Sequence, residues 1–280
     1  MTGYRSSMRV AFQGEPGAYS EAAVTEHFEA EVTTVPCEAF DDIFAAVTTG
    51  TCDYGMIPIE NSLAGSIHRN YDLLLKNNLS IVGEHYLYVN HYLIGMPDAN
   101  MSDIRRVISH PQALAQCEGY LHTLTGVKIE SVYDTAGSVK MVRQMGDKSV
   151  AAIASRLAAD IYEMKILAEM IQDNPENLTR FLVISPNPGE PGTDAKTSIV
   201  FSLINTPGSL FKAMSVFALR DIDLTKIESR PLVGKPFEYF FYVDFAGSIL
   251  DPVAAKALSH LEEYAIFMRV LGSYPRHRYR

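Results

Sequence analysis

Met8-Arg9-Val10-Ala11-Phe12-Gln13-Gly14-Glu15-Pro16-Gly17-Ala18-Tyr19-Ser20 is the stretch that sets the fold class. Residues 8–12 read as a short buried strand, the Gly- and Pro-rich segment as a turn, and the following residues as a helix capped by Ser20. This β-turn-α unit recurs outward. Phe40, Ile43, Phe44 and Val47 repeat at helical spacing before Gly50, and Tyr54 to Ile59 reads as the next strand. Alternation of this kind points to α/β layers.

The alternation continues along the chain. Val107-Ile108-Ser109 reads as a strand, Gln112 to Leu124 as one helix, Ile129 to Val132 as a strand and Ala136 to Met145 as a helix. Val150 to Ala154 and Arg156 to Tyr162 form a further strand and helix. Two α/β lobes with a cleft are expected over 8–185. Pro186 to Asp194 is rich in proline and glycine and marks a linker, 186–196. Beyond it the order becomes strand 198–204, helix 209–219, strands 224–232 and 239–245, helix 252–264 and strand 267–271, a βαββαβ ferredoxin-like plait over 197–275.

Composition narrows the function classes. The chain has 280 residues, 47% of them hydrophobic, and a net charge of −9, enough for a substantial core in more than one unit. Its acidic balance argues against nucleic-acid or anionic-membrane partners, leaving small molecules. An anionic ligand then needs local compensation from Arg, Lys or helix N-termini. Cys37, Cys52 and Cys117 are odd in number and widely separated, so neither a disulfide framework nor a zinc site is expected. The first residues contain no apolar run of signal-peptide length, which we read as a cytosolic protein.

Two segments carry the chemistry. Asn177-Leu178-Thr179-Arg180-Phe181 sets a hydroxyl beside a guanidinium at the start of an apolar strand, a proton donor next to an anion clamp. Glu60-Asn61-Ser62 follows a strand and leads into the helical pattern 67–74. Asn61 and Ser62 also suit a plain helix-capping role, Phe181 a core role, and Arg180 a surface ion pair. Thr135 fits either an N-cap or a substrate donor. Gly14-x-x-Gly17-x-x-Ser20 fits no nucleotide fingerprint, and His110 has no companion at ligand spacing.

Together with His110-Pro111-Gln112-Ala113-Leu114-Ala115-Gln116-Cys117 and Asp134-Thr135-Ala136, these segments resemble the prephenate dehydratase family and its arogenate-using relatives from about Met8 to Tyr274. The resemblance implies a periplasmic-binding-protein-like two-lobed catalytic domain and a cofactor-free lyase. In it Thr179 assists the leaving hydroxyl, while Asn61, Ser62, Thr135, Arg180, Phe181 and Glu60 bind substrate. Ala64 stands where many microbial members have an acidic residue, which implies that arogenate is accepted alongside prephenate.

The C-terminal part resembles an ACT domain. Asn205, Pro207, Gly208, Ser209 and Leu210 match its effector turn, and Glu228, Ser229, Arg230 and Pro231 match the Glu-Ser-Arg-Pro motif of phenylalanine-responsive versions. Regulation by L-phenylalanine and a homodimer or homotetramer are implied. A catalytically silent amino-acid sensor built on the same two domains is the alternative.

Overall fold

The expected opening strand forms as Met8–Gln13, with Val10, Ala11 and Phe12 fully buried. The computed structural model describes residues 7–28, 31–232 and 234–278. The chain divides into one unit of 1–71 with 85–181 and another of 72–84 with 182–280.

The first unit carries two lobes. In one, Met8–Gln13 pairs in parallel with Val32–Cys37 and with Tyr54–Asn61, and residues 178–181, which open the strand Leu178–Ser185, lie on the far side of Tyr54–Asn61. Val32–Cys37 is the edge strand, which is why it tolerates Pro36. The other lobe is a mixed sheet in the order Lys165–Ala168, Tyr92–Gly95, Val150–Ala154, Arg106–Ser109, Lys128–Ser131. Its core gathers Leu93, Val107, Cys117, Leu121, Ala151 and Ile153.

Several local expectations change. The first helix starts at Tyr19 with Ala18 at its N-cap, so Ser20 sits inside the helix and does not cap it. The single helix expected over 112–124 is two short ones, Pro111–Ala115 and Glu118–His122. The break has a cause: the Asp173 N–H donates to the Gln116 carbonyl at 2.7 Å, and the Asp173 carboxylate accepts the Gly119 N–H at 3.0 Å. Strands Val32–Cys37 and Lys165–Ala168 had no clear sequence signal.

The second unit holds the plait. Ala195–Leu203, Ser209–Ala218, Leu224–Pro231, Tyr239–Ala246, Pro252–Tyr264 and Ala265–Pro275 follow one another as βαββαβ. Its four strands are all antiparallel to their neighbours. Ile199, Phe201, Phe217, Val243, Phe245 and Leu261 fill the core between sheet and helices.

Candidate active site

A cavity of about 280 Å³ opens between the two lobes of the first unit. Gln13, Tyr19, Asn61, Thr179 and Phe181 come from one lobe, and His91, His110, Gln116, Asp134 and Thr135 from the other. Gln13, Asn61 and His110 stand at or just past the carboxyl ends of parallel strands, where α/β sheets leave a crevice for ligands.

Strand geometry sorts the first motif. Successive side chains of a strand face opposite sides, so Asn177, Thr179 and Phe181 share a face and line the cavity, whereas Arg180 does not line it. Arg180 is buried at 6% exposure. The expected hydroxyl and guanidinium side by side are thus separated by the period of the strand. Phe181, fully packed, is both core and wall.

Asn61 organises the floor. Its Oδ1 accepts the N–H groups of Leu63 and Ala64 at 3.0 and 2.9 Å, which fixes the amide orientation. Its Nδ2 then donates to Asn177 Oδ1 at 2.7 Å and to Thr179 Oγ1 at 2.9 Å. Two donors and two acceptor lone pairs are all used, so Asn61 holds other groups in place and has no capacity left for a ligand. It caps a turn, not a helix. With its oxygen already accepting, the Thr179 hydroxyl directs its own proton elsewhere.

The remaining expected residues divide. Ser62 is exposed, donates to the Glu176 carbonyl at 2.9 Å and accepts the Leu178 N–H at 2.9 Å, which ties the two motif segments together. Glu60 and the exposed Ala64 do not line the cavity. Thr135 does, and because Asp134 caps its helix by accepting the Gly137 N–H at 2.7 Å, the Thr135 hydroxyl is not needed for capping. His110 caps the short helix after it, its Nδ1 accepting the Gln112 N–H at 3.2 Å.

Tyr19, His91, Gln116 and Asn177 also line the cavity but were not singled out as site residues in the sequence. The Tyr19 hydroxyl lies 2.7 Å from His91 Nδ1, and His91 Nε2 lies 2.8 Å from Gln116 Oε1. Burial lowers the His91 pKa, so a neutral imidazole links the two. The Asp134 pKa is pushed up, chiefly by burial. Without Arg180 on the cavity wall, positive potential comes from the N-termini of Tyr19–His27 and Thr135–Met145.

In the second unit a hollow of about 190 Å³ is lined by Asn205, Gly208, Ser209, Leu210, Phe237 and Tyr239, among others. Gly208 adopts φ 80° at the N-cap of the helix Ser209–Ala218, a left-handed conformation that favours glycine. Glu228, Ser229, Arg230 and Pro231 lie on the strand Leu224–Pro231 and do not line this hollow, and Arg230 pairs with Asp72 at 3.2 Å.

These features define a two-lobed α/β enzyme domain with a largely polar cavity between its lobes, followed by a ferredoxin-like plait. The prephenate dehydratase family model matches residues 10–189. Arogenate dehydratase/prephenate dehydratase 2, chloroplastic, of Arabidopsis thaliana is 54% identical over 281 residues, covering 96% of this chain and 73% of that protein. Arogenate dehydratase 2 of Petunia hybrida is 51% identical, covering 96% of this chain and 72% of its own length. The chain belongs to the prephenate dehydratase family.

Among solved structures, the prephenate dehydratase of Arthrobacter aurescens in complex with L-Phe superposes with a TM-score of 0.87 at 32% identity, covering 96% of this chain and 90% of that one. A protein described as GqqA, a novel type of quorum quenching acylases, gives 0.89 at 38% identity, covering 96% and 98%. The cytosolic reading is overturned: the similar Arabidopsis enzymes are chloroplastic. The reading failed because organelle transit segments are amphipathic and Ser- and Arg-rich, so a missing apolar run says nothing against them.

Proposed function

We propose that the cavity of the first unit binds prephenate and arogenate and removes carbon dioxide and water from them. The bond from ring to carboxylate breaks, its electron pair enters the ring, and the ring carbon–oxygen bond breaks opposite it. The hydroxyl departs with one proton as water. Aromatisation drives the step, so the protein must orient the acid and assist a poor leaving group. Thr179 is the catalytic residue in this reading, and the observation that carries it is the Asn61 amide donating into its oxygen at 2.9 Å. An acylase, as the GqqA structure is described, requires a nucleophile relieved of its proton by a base, and among the described residues no basic side chain accepts the Thr179 proton.

Thr135 and Phe181 complete the substrate's surroundings, with the helix N-termini meeting its carboxylates. Arg180, Glu60 and Ser62 support this floor from outside the cavity lining. We take 8–185 as the catalytic domain and 197–275 as the regulatory one, joined by 186–196.

Ala64 belongs to the turn held by the Asn61 oxygen, so its effect on substrate choice is exerted through that turn. Replacing it, Ala64→Glu, is expected to move the ratio of kcat/KM values toward prephenate by about tenfold. Steady-state kinetics with both substrates checks this, and an unchanged ratio removes Ala64 from specificity.

The hollow at Gly208 is read as an L-phenylalanine site, in line with the L-Phe complex of the Arthrobacter relative. The ligand carboxylate would meet the amides that follow Gly208. At a hundredfold excess over Kd, L-phenylalanine is expected to stabilise the protein by ~2.7 kcal/mol. Thermal unfolding reads this directly, and Gly208→Ala should require at least tenfold more ligand for the same shift. An unshifted midpoint in the parent protein rejects the site. Phe211, Leu219 and Leu250 stay exposed in a single chain, which supports a homodimer or homotetramer.

A further inference from the structure

Asn177 has a polar atom that the fold does not use. The residue is 1% exposed and lines the cavity between the lobes. Its Oδ1 accepts Asn61 Nδ2 at 2.7 Å. That orientation is fixed from outside, because the Asn61 oxygen is committed to the N–H groups of Leu63 and Ala64. The Asn177 amide therefore cannot be turned around without setting two donors face to face. Its Nδ2 is left buried with no hydrogen-bond acceptor among the described residues.

A buried, unpaired amide donor is costly and is tolerated in native proteins mainly where something else supplies the acceptor. The Asn177 carbonyl accepts the Val89 N–H at 2.8 Å, so the backbone here is pinned and cannot rotate the side chain away. One Asn61 nitrogen anchors both Asn177 and Thr179, and both side chains share the cavity face of the same segment. Two donors with a common anchor thus converge on one region.

We propose that Asn177 is a second catalytic residue, whose Nδ2 donates to the departing hydroxyl oxygen of the substrate alongside Thr179. The assignment rests on the dehydratase reading above. Asn61 is then the positioning residue for both. A fixed donor aimed at an oxygen on which charge develops acts chiefly on turnover. Its preorganisation explains why Asn61 uses every hydrogen-bonding valence on neighbours.

The test uses Asn177→Asp and Asn177→Ala in the full-length protein. Aspartate keeps the acceptor for Asn61 and replaces only the donor. At pH 8 we expect kcat to fall about 100-fold in both variants, with KM changed less than threefold. As pH is lowered toward 6.5 the aspartate variant should recover relative to the parent, because a protonated carboxyl regains a donor, while the alanine variant should not. Because His91, His110 and Asp134 line the same cavity, the parent profile is measured alongside with the uncatalysed rate subtracted.

Parent-like turnover in Asn177→Asp across the range overturns the assignment. So does a change confined to KM, or equal losses in both variants with lowered thermal midpoints and no pH recovery. If the parent converts neither substrate, it is the dehydratase reading that fails.

Discussion

Replacing Thr179 with valine is expected to lower kcat by about 10²–10³-fold, the scale found when one preorganised donor to a developing charge is removed. Valine keeps the volume and the β-branched strand preference, so the loss isolates the hydroxyl. Asn61 Nδ2 would keep Asn177 Oδ1 at 2.7 Å and the Leu178 carbonyl at 3.3 Å as acceptors, which limits collapse of the floor. Because a threonine hydroxyl is a weak acid, its effect comes from placement and not from a matched pKa. KM should change little, and Thr179→Ser should restore part of the rate. Steady-state kinetics on both substrates decides; a kcat within threefold of the parent excludes Thr179 from the chemistry.

The second large effect is on stability. Gly17 lies at φ +91°, and a Cβ built there would meet the Ala158 Cα at 2.6 Å and its Cβ at 2.7 Å. The Ser155 hydroxyl donates to the Gly17 carbonyl at 2.5 Å, so the turn of one lobe is locked against the helix start of the other. Gly17→Ala combines an unfavourable backbone conformation, about 1–3 kcal/mol, with overpacking of similar size. A drop in melting temperature of roughly 6–12 °C follows from about 3 kcal/mol in a domain of this size. Turnover should fall as well, since Thr179 and His110 line the cavity from the two lobes that this contact joins. A midpoint within a degree of the parent would show that the lobes do not meet through Gly17.

Much of the architecture was legible because it rests on local periodicity. The opening β-turn-α, the helix around Ile43, Phe44 and Val47, and the βαββαβ order each follow from spacing that tertiary contacts reinforce. What was not legible depended on distant partners. The break at Gln116–Cys117 comes from Asp173, 57 positions after Gln116 in the numbering, taking up that helix's carbonyl and a later N–H. No window along the sequence contains both.

The site shows the same division. Alternation along the strand could have placed Asn177, Thr179 and Phe181 on one face and Arg180 on the other, and reading the motif as a block concealed it. Asn61 was legible as a polar residue at a strand end, yet its role as an anchor emerged only from the turn that fixes its oxygen. Tyr19, His91 and Gln116 meet through folding alone, and the tyrosine–imidazole–amide chain has no local signature.

The most direct measurement is conversion of arogenate and prephenate by the purified parent protein, followed as formation of phenylalanine and phenylpyruvate. Turnover of both substrates, lost in Thr179→Val while the fold is kept, is the predicted result. A folded parent protein that forms neither product would contradict the account.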